Sequence, residues 1–393
     1  MRREVAVRTG LEVLLSDRPD LLCGKRVGVI AHPASVDLKM NHIVDLFRRH
    51  PEIDLRVVMG PQHGFRGETQ DNMIEWNGYV DPETGLRVFS LYGRTRRPTE
   101  EMMADLDLLV VDLQDVGARY YTYAQTLALA LESCCEFDKE MVVLDRPNPI
   151  GGIEVEGPVL QPEFKSFVGL YPVAVRHGMT LGELASYFKA EFKLDCSLTI
   201  VPMEGWRREM HFDETELPWI LPSPNMPTLE TAVVYPGLCL LEGTNVSEGR
   251  GTTRPFEYSG APWINPAQLA SGLKRVGLPG VDFRPVHFAP TFHKWSGHLI
   301  GGVQIHVSDR RQFRPFRTGI AMISLYRELG RGCFEWKPPP YEYEYTRLPF
   351  DILCGTDSLR RAIEIGADLG EIEQEWQEDL VNFSSVRKQY LLY

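Results

Sequence analysis

Residues 106–134 read LDLLVVDLQDVGARYYTYAQTLALALESC. The aliphatic run Leu106–Val111 ends in a polar turn, and a helical stretch, Tyr123–Cys134, follows it. Apolar side chains fill consecutive positions of the run, the pattern of a strand buried on both faces of a parallel sheet. The same unit recurs. Aliphatic runs lie at Arg26–Ile30, Leu55–Met59, Leu86–Ser90, Met141–Leu144 and Leu198–Val201, with helical stretches at Met40–Arg49, Thr99–Asp105 and Thr180–Phe192. The last of these opens with the capping pair Thr180 and Glu183. Strands alternating with helices predict an α/β fold, a Rossmann-like, mostly parallel sheet. The dinucleotide fingerprint is missing, because the first run enters Ala31-His32-Pro33-Ala34-Ser35 with no G-x-G-x-x-G, and no P-loop string occurs.

From Pro218 to Trp263 the texture changes to Pro, Gly, Asn and Glu with little periodicity, and the expectation is an irregular, functional segment. A smaller α+β unit follows. Its helices are expected at Pro266–Val276, Gln312–Leu329 and Asp357–Gly366, a strand at Gly301–Val307, and a polar helical tail at Glu371–Tyr390. Tyr341–Tyr345 alternates like a further strand. The expected division is a Rossmann-like catalytic unit, 1–258, and a C-terminal α+β auxiliary unit, 259–393.

The 393 residues carry 42 Lys and Arg against 54 Asp and Glu, a formal charge of −12. Nucleic-acid binders normally concentrate positive charge, so no nucleic-acid partner is expected. No apolar run approaches the roughly 18 residues of a membrane span, so no membrane partner is expected either. Seven cysteines, odd in number and without a C-x-x-C pair, read as reduced thiols. With no secretory leader after Met1-Arg2-Arg3-Glu4, the expected location is cytoplasmic.

Ligands of open parallel sheets sit outside the carboxyl ends of the strands. Those ends deliver His32 and Ser35; Gln62, His63, Arg66 and Glu68; Asp112, Gln114, Asp115, Arg119 and Tyr121; and Asp145, Arg146 and Asn148. The irregular segment adds Asn225, Glu242, Asn245, Glu248 and Arg250, with glycines at 243, 249 and 251. Arg176 and His177 precede a helix N-terminus, where backbone donors suit an anion. No H-E-x-x-H string or zinc spacing exists. Neither a metal nor a cofactor is expected.

Seven strings carry a resemblance. They are Gly-Pro-Gln62-His63-Gly-Phe-Arg66-Gly, Asp112-Leu-Gln-Asp115-Val-Gly-Ala-Arg119-Tyr-Tyr121-Thr-Tyr123, Leu-Asp145-Arg146-Pro-Asn148-Pro-Ile-Gly-Gly, Val-Glu156-Gly-Pro, Arg176-His177-Gly-Met-Thr, Pro-Ser-Pro-Asn225-Met-Pro and Glu242-Gly-Thr-Asn245-Val-Ser-Glu248-Gly-Arg250-Gly-Thr-Thr. In this order they resemble the exo-acting β-N-acetylmuramidases of peptidoglycan turnover, long known as a domain of unknown function. The resemblance implies a two-domain glycoside hydrolase with its site in the cleft between the domains. It would remove non-reducing terminal N-acetylmuramic acid from small saccharides or muropeptides, in cell-wall turnover and recycling.

Glycoside cleavage normally needs two carboxyl groups. Glu68, Asp115 and Glu248 are the candidates, with His63 positioning or relaying a proton. Arg66, Arg119, Arg146, Arg176 and Arg250 are candidate clamps for the lactyl carboxylate. Gln114, Asn148, Asn225 and Asn245 suit hydroxyls and the acetamide, and Gln62, Tyr121, His177 and Glu242 complete the expected binding set. One departure stands out: the family string is usually Pro-Glu-His-Gly, whose Glu looks like a catalytic acid, and here the position is Gln62. An amide transfers no proton at neutral pH, so the rival reading is a non-catalytic or altered-specificity saccharide-binding protein. A nucleotide-dependent enzyme on the same fold is the third reading.

Overall fold

A computed structural model describes residues 6–71 and 73–393, so Met1–Glu4 lies outside the described residues. One sheet holds β1 (Arg26–Ala31), β2 (Asp54–Gly60), β3 (Tyr79–Val80), β4 (Arg87–Ser90), β5 (Leu108–Asp112) and β6 (Glu140–Leu144). After a two-stranded ribbon of β7 (Glu156–Val159) and β8 (Ala174–Arg176), β9 (Leu198–Val201) joins it. The order is β3-β4-β2-β1-β5-β6-β9, parallel throughout except for β3 against β4. All six aliphatic runs are parallel strands. From β1 the chain moves outward through β2 and β4, then returns to β5 on the other side. The switch in winding therefore lies beside β1, where such folds open a crevice.

Both faces are covered, which is why the strands need no polar alternation. Val27, Val29 and Ala31 pack with Leu11 and Leu14 of α1 (Gly10–Asp17) and Phe47 of α2 (Ile43–Arg49). On the other face, Ile30, Leu109 and Val111 meet Met103 of α3 (Glu100–Met103), Leu127 and Leu131 of α4 (Tyr123–Glu136), and Leu184 of α5 (Leu181–Glu191). The capping box expected from Thr180 and Glu183 is formed at the start of α5.

The stretch expected to be irregular is partly regular. It contains α6 (Leu229–Leu238), a 3-10 turn at Cys239–Gly243, and β10 (Tyr258–Ala261). Every residue of α6 except Glu230 is buried, so no polar face marks it, and Pro236 inside it reads as a breaker. After it come α7 (Pro266–Val276), β11 (Val281–Phe288), β12 (Ile300–Val307) and α8 (Pro315–Leu329), and α6 packs on α8. Gly237 of α6 and Gly319 of α8 touch backbone to backbone, and a Cβ on Gly237 would strike the Pro315 carbonyl. The second sheet is antiparallel, β10-β12-β11. The chain ends in α9 (Pro349–Cys354), α10 (Ser358–Ile365), α11 (Leu369–Gln374) and α12 (Gln377–Arg387), the last two forming the expected helical tail.

The alternating Tyr341–Tyr345 segment is not a strand. Tyr341 and Glu344 exchange backbone hydrogen bonds at 2.9 Å in both directions, closing a tight turn. Glu342 and Tyr343 at its tip have φ of 45° and 67°. Two successive left-handed residues are what a two-residue hairpin demands, usually as Asn-Gly. Here a Glu and a Tyr occupy the strained positions.

Candidate active site

At the carboxyl edge of the large sheet, six segments line one pocket. The loop after β2 brings Gln62 and His63, and the turn after β5 brings Tyr121 and Thr122. Ser223 and Asn225 come from the loop before α6, Glu242 from the 3-10 turn after it, and Arg250 from the glycine-rich loop. Tyr341 and Glu342 reach in from the C-terminal unit.

A charged pair forms one wall. Arg250 Nη2 donates to Glu242 Oε1 at 2.8 Å, and Tyr341 Oη donates to Glu242 Oε2 at 2.8 Å. Burial opposes the charge on Glu242, yet Arg250 and Tyr341 outweigh it and hold the carboxyl below its ordinary range. Behind Arg250 sits Glu248, fully buried, with Arg250 Nε at 3.4 Å, His293 Nδ1 at 3.1 Å and Lys294 Nζ at 2.9 Å. Burial penalises this carboxylate too, but Lys294, His293 and Arg250 keep it well below the usual range. The fixed guanidinium has a donor to spare. Arg250 Nη1 is buried and has no hydrogen-bond acceptor among the described residues.

A second pair, Gln62 and Glu342, lines the same pocket. Gln62 Oε1 accepts from Thr122 Oγ1 at 2.7 Å, which orients the amide so that Nε2 donates to Glu342 Oε1 at 3.1 Å. Tyr92 Oη lies 2.7 Å from Glu342 Oε2. Glu342 is 4% exposed, and burial lifts its carboxyl to about 7 despite the hydrogen bonds from Tyr92 and Gln62. His63, itself left-handed at φ 70°, donates from Nδ1 to the Thr69 carbonyl at 2.9 Å. Burial pushes its imidazole down to about 4, so the ring is neutral near pH 7 and its Nε2 is an acceptor.

Of the residues expected from sequence, Gln62, His63, Tyr121, Asn225, Glu242 and Arg250 meet in this pocket. The others lie outside its lining. Glu68 is exposed, accepting from Arg66 N at 3.0 Å and Tyr79 Oη at 2.9 Å, while the Arg66 guanidinium binds Asp81 at 2.9 Å. Asp115 accepts from Gly117 N at 2.7 Å and faces His177 Nε2 at 3.3 Å. Gln114 donates to the Asp115 and Pro147 carbonyls. Arg119 donates to the carbonyls of Pro158, Val173 and Leu353, and Arg146 grips Asp112 at 2.8 Å. Asn148 binds the Met179 carbonyl, Arg176 the Ile150 carbonyl, and Asn245 the Cys333 carbonyl. Buried loops leave carbonyls that need donors, and these long side chains supply them.

The amino-terminal model of the exo-β-N-acetylmuramidase NamZ family matches residues 27–230, and its carboxy-terminal model matches residues 233–393. The chain belongs to this family. It is 47% identical over 387 residues to the peptidoglycan β-N-acetylmuramidase NamZ of Bacillus subtilis (strain 168), a match covering 98% of this chain and 91% of that protein. Two crystal structures of DUF1343 family proteins from Bacteroides fragilis NCTC 9343 share the fold. One superposes with a TM-score of 0.89 at 34% identity and the other with 0.77 at 31%, each over 99% of both chains.

Sequence reading missed the pocket's Glu342 and Tyr341, and it quoted Thr122 and Ser223 within their strings without giving either a role. The first two hid in a segment whose period of two mimics a strand. The one usable signal was its Pro338-Pro339-Pro340 lead, which stiffens the approach to a turn.

Proposed function

We propose that this chain is an exo-β-N-acetylmuramidase. It hydrolyses the glycosidic bond that holds N-acetylmuramic acid at the non-reducing end of peptidoglycan fragments. The carrying observation is Arg250, an immobilised guanidinium whose buried Nη1 has no acceptor among the described residues, in a pocket that it shares with its partner carboxylate Glu242 and with polar and aromatic groups. Muramic acid differs from other amino sugars by its lactyl carboxylate, which such a donor suits. Asn225 and Ser223 provide for the acetamide and hydroxyls, and His63 Nε2 accepts from a hydroxyl. The name of the Bacillus relative favours hydrolysis over binding alone.

In this reading Glu248 acts through Arg250, Asp115 holds His177, and Glu68 braces the β2 loop. Residues 1–258 form the catalytic unit and 259–393 complete its pocket through Tyr341 and Glu342. Among the described residues no helix is long and apolar enough to cross a membrane. The seven cysteines are free, Cys23 and Cys333 exposed, which supports a reducing compartment such as the cytoplasm.

The test is product analysis by mass spectrometry. A disaccharide of N-acetylmuramic acid linked to N-acetylglucosamine should yield both free sugars, while a chain ending in N-acetylglucosamine should stay intact. Binding of the disaccharide without products over hours contradicts hydrolysis and establishes the saccharide-binding alternative.

A further inference from the structure

We propose that Glu342, carried by the C-terminal unit, is the proton donor to the glycosidic oxygen, and that Gln62 is the residue that positions it. This rests on the muramidase reading above. Four observations support it.

Glu342 lies in the same pocket as Arg250 and Glu242. Its side chain is placed by a turn that holds two successive non-glycine residues at positive φ, a strained conformation that concentrates at functional sites. Each carboxyl oxygen also has one fixed neighbour, Gln62 on Oε1 and Tyr92 on Oε2. A carboxyl oxygen offers two lone-pair directions, so a direction remains for a substrate.

The pocket's two carboxyl groups stand in opposite environments. Glu242 is paired with a guanidinium and a phenol. Glu342 has no cation within hydrogen-bonding reach among the described residues; Tyr92 and Arg96 after β4, Glu242 after α6, and neighbouring Tyr341 are the titratable or charged groups that act on it. Burial, with a further push from Glu242, keeps it protonated up to about 7. Two carboxyls driven apart in this way divide into an acid and a charged stabiliser.

The step balances. The Glu342 proton passes to the glycosidic oxygen, and the C1–O bond breaks with its electron pair going to that oxygen. Positive charge developing at C1 is stabilised by the Glu242 carboxylate. Hydroxide from water then joins C1, and the water's remaining proton restores the Glu342 carboxyl.

The experiment compares Glu342→Gln with the wild type on two substrates. One is the muramic acid–glucosamine disaccharide, and the other is a 4-nitrophenyl glycoside of N-acetylmuramic acid, whose leaving phenolate needs no proton. Loss of a general acid costs about 10²–10⁴ in rate. The disaccharide rate should fall by that amount and the aryl glycoside rate by less than about tenfold, with affinity for N-acetylmuramic acid kept. A variant unimpaired on the disaccharide, or equally impaired on both substrates, overturns the assignment. Tyr92→Phe is the second variant, needed if Glu342→Gln does not fold. It removes a donor that favours the charged carboxyl, so the alkaline limb of kcat/KM should move to higher pH; an unmoved limb overturns the assignment as well. A wild type that cleaves neither substrate refutes the muramidase reading itself. A wild type that cleaves both, beside an unimpaired Glu342→Gln, refutes only the role of Glu342.

Discussion

The Gln62 side-chain amide and the Glu342 carboxyl are joined by a 3.1 Å hydrogen bond across 280 positions of sequence. That bond ties the β2 loop of the large sheet to a turn of the C-terminal unit. It also gives the departure at position 62 a physical meaning. A Glu there would set two carboxyls face to face, and such a pair shares one proton. The amide cannot ionise and leaves a fixed donor in its place.

Gln62→Glu should therefore alter the pH profile more than the maximal rate. The pair would titrate with two macroscopic values, splitting the alkaline limb of kcat/KM, while the best rate changes by less than about tenfold. A gain of about a hundredfold or more would assign the acid to position 62 instead.

The wild-type pH dependence has a definite sign. A proton donor works only while protonated, and burial lifts Glu342 to about 7. Consequently kcat/KM should fall as pH rises through about 7, by about tenfold per unit beyond it. Steady-state rates on the disaccharide check this, and a flat profile well into the alkaline range would contradict it.

Arg250→Lys keeps the charge between Glu242 and Glu248 but removes the fork. A hydrogen bond to a charged group is worth about 1.5–3 kcal/mol, so affinity for N-acetylmuramic acid should fall about 10- to 150-fold. Affinity for N-acetylglucosamine, which lacks the carboxylate, should stay unchanged. Calorimetry with both sugars decides it; equal losses would remove Arg250 from recognition of the lactyl group.

Arg119 should behave in the opposite way. Its guanidinium satisfies the carbonyls of Pro158, Val173 and Leu353 and lies outside the pocket lining. Arg119→Met leaves these acceptors buried, at about 1–3 kcal/mol each. Urea unfolding should show a loss of several kcal/mol, and KM at a temperature where the variant is folded should match the wild type. A raised KM with unchanged stability would return Arg119 to the substrate.

The parallel sheet was legible because strands buried on both faces are contiguous aliphatic runs, as in residues 108–111 of β5. Helix α6 was not, since a helix buried on nearly all sides carries no stripe and Pro236 reads as a stop. In the site, Gln62, His63 and Tyr121 were readable from strand ends, and Asn225, Glu242 and Arg250 from the stretch with little periodicity. Sequence shows that Arg119 or Arg146 follows a strand; it does not show whether a guanidinium meets a carbonyl, a buried Asp112 or a ligand. Glu342 was hidden for a different reason: its turn is imposed by contacts with Gln62 and Tyr92, more than 240 positions away.

A crystal structure with N-acetylmuramic acid bound tests the central claim most directly. The lactyl carboxylate should lie within hydrogen-bonding distance of Arg250, with the anomeric carbon facing Glu342 and Gln62. A sugar seated elsewhere, such as the groove of Arg327, Phe334 and Trp336, or bound with its carboxylate turned away from Arg250, would contradict the account.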